Sequence, residues 1–390
     1  MLDFSSFLAG SAWFFAIIAL LGSVYQLLAA YAVKHFTAQA ADAPRRRPPV
    51  SLIKPLCGDE PHLYENLRSF CELDYPEVQI VFGVRDRDDP AAGIVRRLQS
   101  DLPKADIALV ADPRIYGTNY KVSNIVNMMP AIKHDTLVLS DSDMHVEPHY
   151  LDPIVGGLER PGNGLVTCLY VGRPTAGAWS KIGAAGINFW FLPSALVSKL
   201  LGGKTGCYGA TIALKRATLD AAGGFVALKD QLADDYALGA LVQENGLEVS
   251  VVPYFLDTTV HEPDFTTLFR HELRWARTIR NTAPIGYAGS AITHPIPMAL
   301  LGLGFGSVAG LPWPMLIMPL AMAGLCRLVL VRCVLDALAA PRPAWWLLVP
   351  RDVLSLVVLV LAFCGRSVSW RESAFRVDSA GALSAKTDGI

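Results

Sequence analysis

The sequence predicts an α/β domain with a mostly parallel sheet, flanked at both ends of the chain by apolar helices that cross a membrane. Two observations lead to this prediction. Only 18% of the 390 residues are charged and 52% are hydrophobic, which excludes a disordered chain, and the apolar excess lies near the termini. Between them, short β-branched runs alternate with helix-length segments, the pattern of an open sheet with right-handed crossovers.

The first apolar segment has no Asp, Glu, Lys or Arg over 30 residues, which is long enough to span a membrane. We expect a retained anchor over residues 1–34, because the N-terminus lacks the basic residues of a signal peptide. A cleaved signal peptide is the alternative, since small residues at 38–43 offer a cleavage site. The arginines at 45–47 follow the span and Asp3 precedes it, so the positive-inside rule places the next domain in the cytoplasm.

A second uncharged run, of 46 residues, follows the soluble region and predicts transmembrane helices over 291–336. Two tight spans and one span with a re-entrant segment both remain open for this run. One further transmembrane helix is expected over 345–366, followed by a C-terminal tail over 367–390. Arg351 and Asp352 interrupt the last apolar run, and we expect them to form an internal charge pair.

The soluble region, residues 45–290, has the size of one α/β domain. Its predicted strands are the β-branched runs Val50–Ile53, Val78–Val84, Ile107–Val110, Thr136–Ser140, Leu165–Leu169 and Val249–Val252. The predicted helices between the earlier strands are Leu63–Cys71, Pro90–Ser100 and Tyr120–Met129. In open α/β sheets the ligand binds beyond the carboxyl ends of the strands, so residues that directly follow each strand are candidates for the site.

The net charge and the cysteine pattern argue against nucleic-acid binding and against a structural zinc site. A net charge of −1 gives no indication of nucleic-acid binding. The seven cysteines form no CxxC pair, which is typical of a reducing compartment and argues against a structural zinc site.

Acidic residues follow two of the predicted strands. Asp86 comes after the second strand, and Asp141 and Asp143 come after the fourth. Two carboxylates spaced in this way can share a Mg²⁺ or Mn²⁺ ion with a nucleotide diphosphate, because these cations prefer oxygen ligands. The alternative is that acids at strand ends cap the following helix.

A third acidic pair, Asp234-Asp235, opens a segment with helical spacing. The pair can act as a helix cap with favourable charge at the positive helix end, and spacing alone favours this interpretation. The functional interpretation is a general base for an acceptor hydroxyl.

A basic helix is predicted over 264–285, where Arg270, Arg274 and Arg277 form one stripe at steps of four and three. The stripe can contact lipid headgroups beside the next span. Alternatively, Arg274 neutralises a leaving diphosphate while the neighbouring Trp275 shapes the pocket. Both interpretations can hold for different arginines.

Taken in chain order, these features resemble the motifs of membrane-bound, family-2-like glycosyltransferases, whose catalytic domain has the Rossmann-like GT-A fold. That series consists of an acid after an early strand, a DxD motif, an acid pair that opens a helix and a (Q/R)xxRW motif. In this chain it corresponds to Asp86, Asp141-Ser142-Asp143, Asp234-Asp235 and His271-Glu272-Leu273-Arg274-Trp275.

The closer resemblance is to the ceramide glucosyltransferase family, glycosyltransferase family 21, which includes bacterial hopanoid-biosynthesis glycosyltransferases. It extends over roughly residues 50–376. The segments that carry it are Ser51–Leu56, Glu72–Pro76, Asp86–Pro90, Gly117–Lys121 with Asn124, Leu219–Phe225, Asp234–Tyr236 and Ser369–Arg371.

For the donor, the resemblance implies a UDP-sugar bound together with Mg²⁺ or Mn²⁺. Asp86 is expected at the uracil, and Asp141 and Asp143 at the diphosphate and the metal ion. The other residues implied in nucleotide binding are Asn119, Lys121 and Asp234.

For the reaction, the resemblance implies one inverting displacement, in which a lipid hydroxyl attacks the anomeric carbon and Asp235 takes its proton. Arg274 and Trp275 complete the catalytic set together with His271, which stands where the family has Gln or Arg. The sugar is glucose or N-acetylglucosamine, and the lipid is ceramide or a hopanoid polyol such as bacteriohopanetetrol. The expected location is a bacterial inner membrane, with several spans and the catalytic domain facing the cytoplasm.

Two alternatives remain open. A processive polysaccharide synthase would more typically carry Gln at position 271 and more spans than the three or four predicted for this chain. A catalytically inactive membrane scaffold would be expected to have lost acids of the motif series, whereas each acid position is filled.

Overall fold

The structure is a computed structural model that describes residues 4–175, 177–203, 206–365, 367–370, 373–377 and 383–385. The chain divides into two compact units. The helical unit comprises Met1–Ala38, Ala176–Leu201 and Glu262–Arg366, and the sheet unit comprises Gln39–Thr175, Gly202–His261 and Ser367–Ile390.

Helices and strands alternate along the first part of the sheet unit, whereas the helical unit contains no strand among its described residues. In chain order the helices are α1 (Phe4–Thr37), α2 (Leu63–Cys71), α3 (Pro90–Asp101), α4 (Tyr120–Met128), α5 (Leu151–Leu158), α6 (Gly177–Gly186), α7 (Leu192–Leu200), α8 (Arg216–Ala221), α9 (Asp234–Glu244), α10 (Phe265–Thr282), α11 (Pro284–Gly289), α12 (Pro295–Val308), α13 (Trp313–Leu338) and α14 (Leu348–Ala362). The strands are β1 (Val50–Pro55), β2 (Val78–Val84), β3 (Asp106–Ala111), β4 (Thr136–Leu139), β5 (Met144–His145), β6 (Asn163–Pro174), β7 (Ile212–Lys215), β8 (Glu248–Val260), β9 (Ser367–Trp370), β10 (Ser373–Val377) and β11 (Leu383–Ala385).

The main sheet of the sheet unit has the strand order β3-β2-β1-β4-β7-β6-β8-β5. The first four strands are parallel to one another, as are β6 and β8, whereas β7 and β5 pair antiparallel with their neighbours. All six predicted strands are confirmed in position. Two of them, β6 and β8, extend well beyond their predicted ends, and β5 and β7 were not predicted.

Apolar side chains cover both faces of this sheet, which explains why the β-branched runs are continuous rather than alternating. On one face, residues of α2, α3 and α5 pack against Leu52 and Phe82. On the other, residues of α4, α8 and α9 pack against Ile53 and Leu139. The loops at the carboxyl ends of β1, β2 and β4 are thereby held on rigid elements.

Three helices of the described residues are long and apolar enough to cross a membrane: Phe4–Thr37, Trp313–Leu338 and Trp345–Ala362. A fourth candidate is the pair Pro284–Thr293 and Pro295–Val308, which is bent by 67° at the break between its halves. The bend leaves open whether the 46-residue uncharged run contains a broken span or a re-entrant segment.

The segment predicted as a C-terminal tail contains β9, β10 and β11, which form an antiparallel sheet of their own. Arg371, the last residue of the Ser369–Arg371 segment, lies outside the described residues.

The predicted basic helix is α10, which Asp264 caps by accepting a hydrogen bond of 2.8 Å from the backbone N–H of Thr267. Arg277 donates to the carbonyl of Cys364 at 2.9 Å, and Arg280 donates to the carbonyls of Ala362 and Gly365. These two arginines therefore cap the carboxyl end of α14, where cations interact favourably with the helix dipole.

Arg351 and Asp352 do not pair with each other, contrary to the prediction. Arg351 pairs with Glu272 of α10, and Asp352 pairs with Arg327 of α13 at 2.6 Å. Adjacent residues on a helix point about 100° apart, so each side chain meets a different neighbouring helix. α14 is thereby tied to both α10 and α13.

We expect Arg351→Met to lower the free energy of unfolding by about 3 kcal/mol, because it leaves the Glu272 carboxylate, which is only 14% exposed, without a counter-charge. Thermal unfolding of the protein in detergent measures the change. Arg332→Met is the control, since Arg332 pairs with Asp336 on the exposed face of α13 and such pairs contribute about 0–1 kcal/mol. Equal melting temperatures for the two variants would contradict a structural role of the Glu272 pair.

Candidate functional site

The DxD motif forms the short connection between β4 and β5. Thr258 of β8 donates to Oδ2 of Asp143 at 2.7 Å, and the backbone carbonyl of Asp143 accepts from Thr259 at 3.0 Å. Between the two acids, the Ser142 hydroxyl donates to Oε2 of Glu60 at 2.6 Å. Burial, reinforced by the neighbouring Asp141 carboxylate, raises the pKa of Asp143 to about 6.

Lys121 links the DxD motif to the acid pair of α9. Its Nζ lies 2.7 Å from Oδ1 of Asp141 and 3.5 Å from Oδ2 of Asp234. Burial disfavours its charge, but the two carboxylates outweigh that effect and raise the pKa of Lys121. The ammonium is therefore firmly protonated beside Asp141.

Asn119 caps α4, the helix that carries Lys121. Its side-chain oxygen accepts from the backbone N–H of Val122 at 3.0 Å, and its side-chain nitrogen donates to the carbonyl of Gln231 at 2.9 Å. The residue is fully buried, so both polar atoms of its side chain are engaged within the protein. These contacts hold the start of α4, and with it Lys121, in place. The nucleotide contact of Asn119 stays a prediction.

Asp235 lies in the first turn of α9, next to Asp234. Its Oδ2 accepts from the backbone N–H of Gly209 at 3.0 Å, and its Oδ1 accepts from the N–H of Tyr236 at 2.7 Å. Burial and the Asp234 carboxylate raise the pKa of Asp235 to about 6. The N-cap residue of α9 is Ala233, which forms no side-chain cap, so neither acid is the N-cap. Both acids lie in the first turn, where the helix dipole favours negative charge, as the alternative interpretation also predicted.

Gly209 lies between the DxD motif and the acid pair. A methyl group at this residue would lie 2.8 Å from Oδ2 of Asp141 and 3.6 Å from Oδ2 of Asp235. Because glycine has no side chain, the space between the carboxylates of Asp141 and Asp235 stays open. Sequence reasoning missed Gly209, because it belongs to no motif and follows no predicted strand.

Asp86 is exposed at the carboxyl end of β2, where its Oδ1 accepts from the backbone N–H of Asp88 at 3.0 Å. Since β2 and β4 both pair with β1, Asp86 and the DxD motif share one edge of the sheet, two strand spacings or about 10 Å apart. Asp89, by contrast, caps α3 and binds the N–H of Gly58.

His271, Arg274 and Trp275 lie on α10, in the helical unit. The His271 Nδ1 is 2.7 Å from Oε1 of Glu262, and its ring meets the Trp275 ring edge to face with centroids 4.6 Å apart. Glu262 is buried and was not predicted. When the Glu262 carboxylate accepts from Nδ1, a neutral His271 has a lone pair at Nε2.

The residues present suit a Mg²⁺ or Mn²⁺ ion that shares its ligands with a substrate. No cluster of three or more His, Cys, Asp or Glu suited to a metal ion occurs in the described part of the chain. Lys121 pairs with Oδ1 of Asp141, and Thr258 donates to Oδ2 of Asp143. The other oxygen of each carboxylate is the candidate ligand for a cation. Such ions are often held by one or two carboxylates together with phosphate oxygens.

Comparisons with known proteins identify a family that the chain resembles. The family model described as "Glycosyl transferase family 21" matches residues 14–383. Ceramide glucosyltransferase 1 of Caenorhabditis elegans is 26% identical over 208 residues, which cover 52% of this chain and 44% of that protein. The ceramide glucosyltransferase of Komagataella phaffii is 28% identical over 155 residues, which cover 37% of this chain and 30% of that protein. The chain thus spans less than half the length of these curated relatives.

Among solved structures, a mannosyltransferase from Pyrobaculum calidifontis in complex with GDP-Man and Mn²⁺ superimposes with a TM-score of 0.54. The two proteins share 18% identity, and the match covers 90% of this chain and 99% of that one. This likeness confirms the GT-A fold.

Proposed function

Because the chain belongs to glycosyl transferase family 21, we propose that it transfers glucose or N-acetylglucosamine from a UDP-sugar to the hydroxyl of a membrane lipid, with inversion at the anomeric carbon. Ceramide and a hopanoid polyol such as bacteriohopanetetrol are the two acceptor candidates. One observation carries the proposal: a methyl group at Gly209 would lie 2.8 Å from Oδ2 of Asp141 and 3.6 Å from Oδ2 of Asp235, so both carboxylates border the same small space. A proton acceptor and a diphosphate-binding acid are therefore neighbours, as a displacement at the anomeric carbon requires.

The donor half of the proposed site consists of Asp86 at the uracil and of Asp141, Asp143 and Lys121 at the diphosphate. A Mg²⁺ or Mn²⁺ ion held by Asp141 and Asp143 supplies positive charge to the phosphate oxygens. Lys121 keeps Asp141 in place and adds a fixed positive charge to the same region, where negative charge grows as UDP departs.

In the proposed reaction, the lipid hydroxyl oxygen bonds to the anomeric carbon while the bond from that carbon to the UDP oxygen breaks. The hydroxyl proton passes to Asp235, and the electron pair leaves with UDP. An α-linked donor then gives a β-linked product. The motif on α10 supports a role for Arg274 in stabilising the departing diphosphate, with Trp275 and His271 beside it on the same helix.

We further propose that the protein is a multi-pass protein of a bacterial inner membrane, with the sheet unit in the cytoplasm. The three apolar helices of the described residues and the arginines at 45–47 support this arrangement.

The test uses purified protein in detergent, with UDP-glucose and UDP-N-acetylglucosamine each offered to ceramide and to bacteriohopanetetrol. UDP release is followed with and without Mn²⁺. Turnover that depends on Mn²⁺ and on one donor–acceptor pair supports the proposal and identifies the substrates. A protein that binds no UDP under any of these conditions refutes it.

A second prediction concerns Gly209. The methyl group of Gly209→Ala would lie 2.8 Å from Oδ2 of Asp141, which is too close without a shift of one of the two. Because this shift displaces a reacting group, we expect kcat/KM to fall about 10- to 100-fold. Steady-state kinetics of UDP release measure the loss. Gly93→Ala is the matched control, because Gly93 is exposed on α3 with nothing close to a new methyl group. A Gly209→Ala enzyme as active as the Gly93→Ala enzyme would show that the space is not used.

A further inference from the structure

Lys54 is fully buried on a strand whose other five residues are buried as well. Lysine is almost never found fully buried unless its charge has a partner. β1 is a central strand covered by apolar residues on both faces, so an aliphatic residue would suit this position for packing alone. The presence of an ammonium group at this position requires a specific explanation.

Three groups surround the ammonium of Lys54. Its Nζ donates to the backbone carbonyl of Asp141 at 2.7 Å, and it lies 3.3 Å from Oγ of Ser140. It also lies 3.4 Å from the centroid of the Phe70 ring, on its face. An ammonium has three hydrogens, and a carbonyl, a hydroxyl and an aromatic face are each suited to receive one.

These contacts converge on the start of the DxD motif. Lys121 holds Asp141 by its carboxylate, at 2.7 Å, and Lys54 holds the same residue by its backbone carbonyl. Rotation of the Asp141 peptide would break the Lys54 contact, and rotation of its side chain would break the Lys121 contact. Together the two lysines fix the orientation of a residue that the sheet alone would not fix, since Asp141 lies beyond the end of β4.

We propose that Lys54 is a positioning residue of the donor site. By binding the backbone carbonyl of Asp141, Lys54 holds Asp141 and Asp143 so that their carboxylates face the diphosphate of the donor. This proposal rests on the proposed function. A purely structural role makes a different prediction: loss of the buried Lys54 hydrogen bonds would then lower the melting temperature but leave the affinity for UDP unchanged.

Lys54→Met is the decisive variant, and Lys215→Met is its matched control. Lys215 donates to Oγ1 of Thr136 at 2.7 Å. The control therefore removes a lysine hydrogen bond at the start of β4, whereas Lys54→Met removes one just beyond the end of β4. UDP binding is measured by titration calorimetry with and without Mn²⁺, together with thermal unfolding, and KM and kcat are measured wherever turnover is found.

We expect Lys54→Met to weaken UDP binding about tenfold, with a matching rise in KM for the UDP-sugar. Its melting temperature should fall as well, because the Asp141 carbonyl loses its buried donor. Lys215→Met should bind UDP within twofold of the wild type. A folded Lys54→Met protein with the wild-type affinity for UDP overturns the proposal.

If Lys54→Met does not accumulate as folded protein, Phe70→Leu decides, since it removes the aromatic face beneath the ammonium and leaves the charge in place. A three- to fivefold loss of UDP affinity in Phe70→Leu then supports the proposal, and an unchanged affinity overturns it. These results are distinct from failure of the proposed function, which appears as a wild-type protein that does not bind UDP.

Discussion

The Asp235→Asn variant is expected to lose about 10²- to 10⁴-fold in kcat, because an amide cannot take the proton of the acceptor hydroxyl. The carboxylate accepts from the N–H groups of Gly209 and Tyr236 on two different oxygens. An amide has one oxygen and can keep only one of these hydrogen bonds, so thermal unfolding is measured alongside to establish that the variant folds. UDP binding should persist, because Asp235 lies on the other side of Gly209 from Asp141, which is proposed to bind the diphosphate. The measurement is UDP release under saturating donor, alongside UDP binding by calorimetry.

Asp220→Asn is the control for the loss of one aspartate charge, because Asp220 is exposed on α8. It should leave kcat within twofold of the wild type. If Asp235→Asn kept more than a tenth of the wild-type kcat, the base would have to be a different group.

The pH profile provides a further check on the same residue. Burial and Asp234 raise the pKa of Asp235 to about 6, and only the ionised form can accept a proton. The activity should therefore be level near pH 7 and fall about tenfold per pH unit once the pH is well below 6. A profile that stays level down to pH 5 would exclude Asp235 as the base.

The sequence predicted the parts of this site that depend on local pattern. Asp86, Asp141 and Asp143 were located because β-branched runs identify strands and because ligands bind at the carboxyl ends of strands. The same reasoning missed β5 and β7, which have two and four residues and provide too few positions for a period to be recognised.

Residues whose role depends on long-range contacts were not predicted from the sequence. Gly209 matters only because α9 and the DxD motif approach it from two sides. Glu262 matters because it lies 2.7 Å from His271, nine residues further along the chain. Lys54 belongs to a segment that carries the family resemblance, but its burial beneath Asp141 follows from the pairing of β1 with β4.

The basic helix shows how one sequence pattern supports two structural outcomes. Arginines beside a membrane-length apolar run are typical of contacts with lipid headgroups. In this protein Arg277 of the stripe and the nearby Arg280 bind backbone carbonyls at the end of α14. Contact of the stripe with lipid headgroups stays a prediction. The sequence lacks the distinguishing information because the carbonyls that accept these hydrogen bonds lie more than 80 residues away and have no side-chain signature.

The Asp143→Asn variant is expected to lose stimulation by Mn²⁺ and at least about 100-fold in kcat/KM, since a metal ion contributes several kcal/mol of charge stabilisation to the departing diphosphate. Asp143 is the better candidate for direct metal binding than Asp141, because Lys121 already compensates the charge of Asp141 at 2.7 Å. Burial, together with the neighbouring Asp141 carboxylate, raises the pKa of Asp143 to about 6. A divalent cation at this point would stabilise the charged form.

Three further variants separate metal binding by Asp143 from a general loss of structure. Asp88→Asn changes an exposed acid that lies two residues after Asp86, and it should leave the Mn²⁺ dependence intact. Thr258→Val removes the hydroxyl that orients Oδ2 of Asp143 and should raise the Mn²⁺ concentration needed for half-maximal activity several-fold, because the carboxylate is then less fixed. If Asp143→Asn keeps its Mn²⁺ stimulation while Asp141→Asn loses it, the metal ligand is Asp141, and Lys121 must then release its carboxylate when the ion binds.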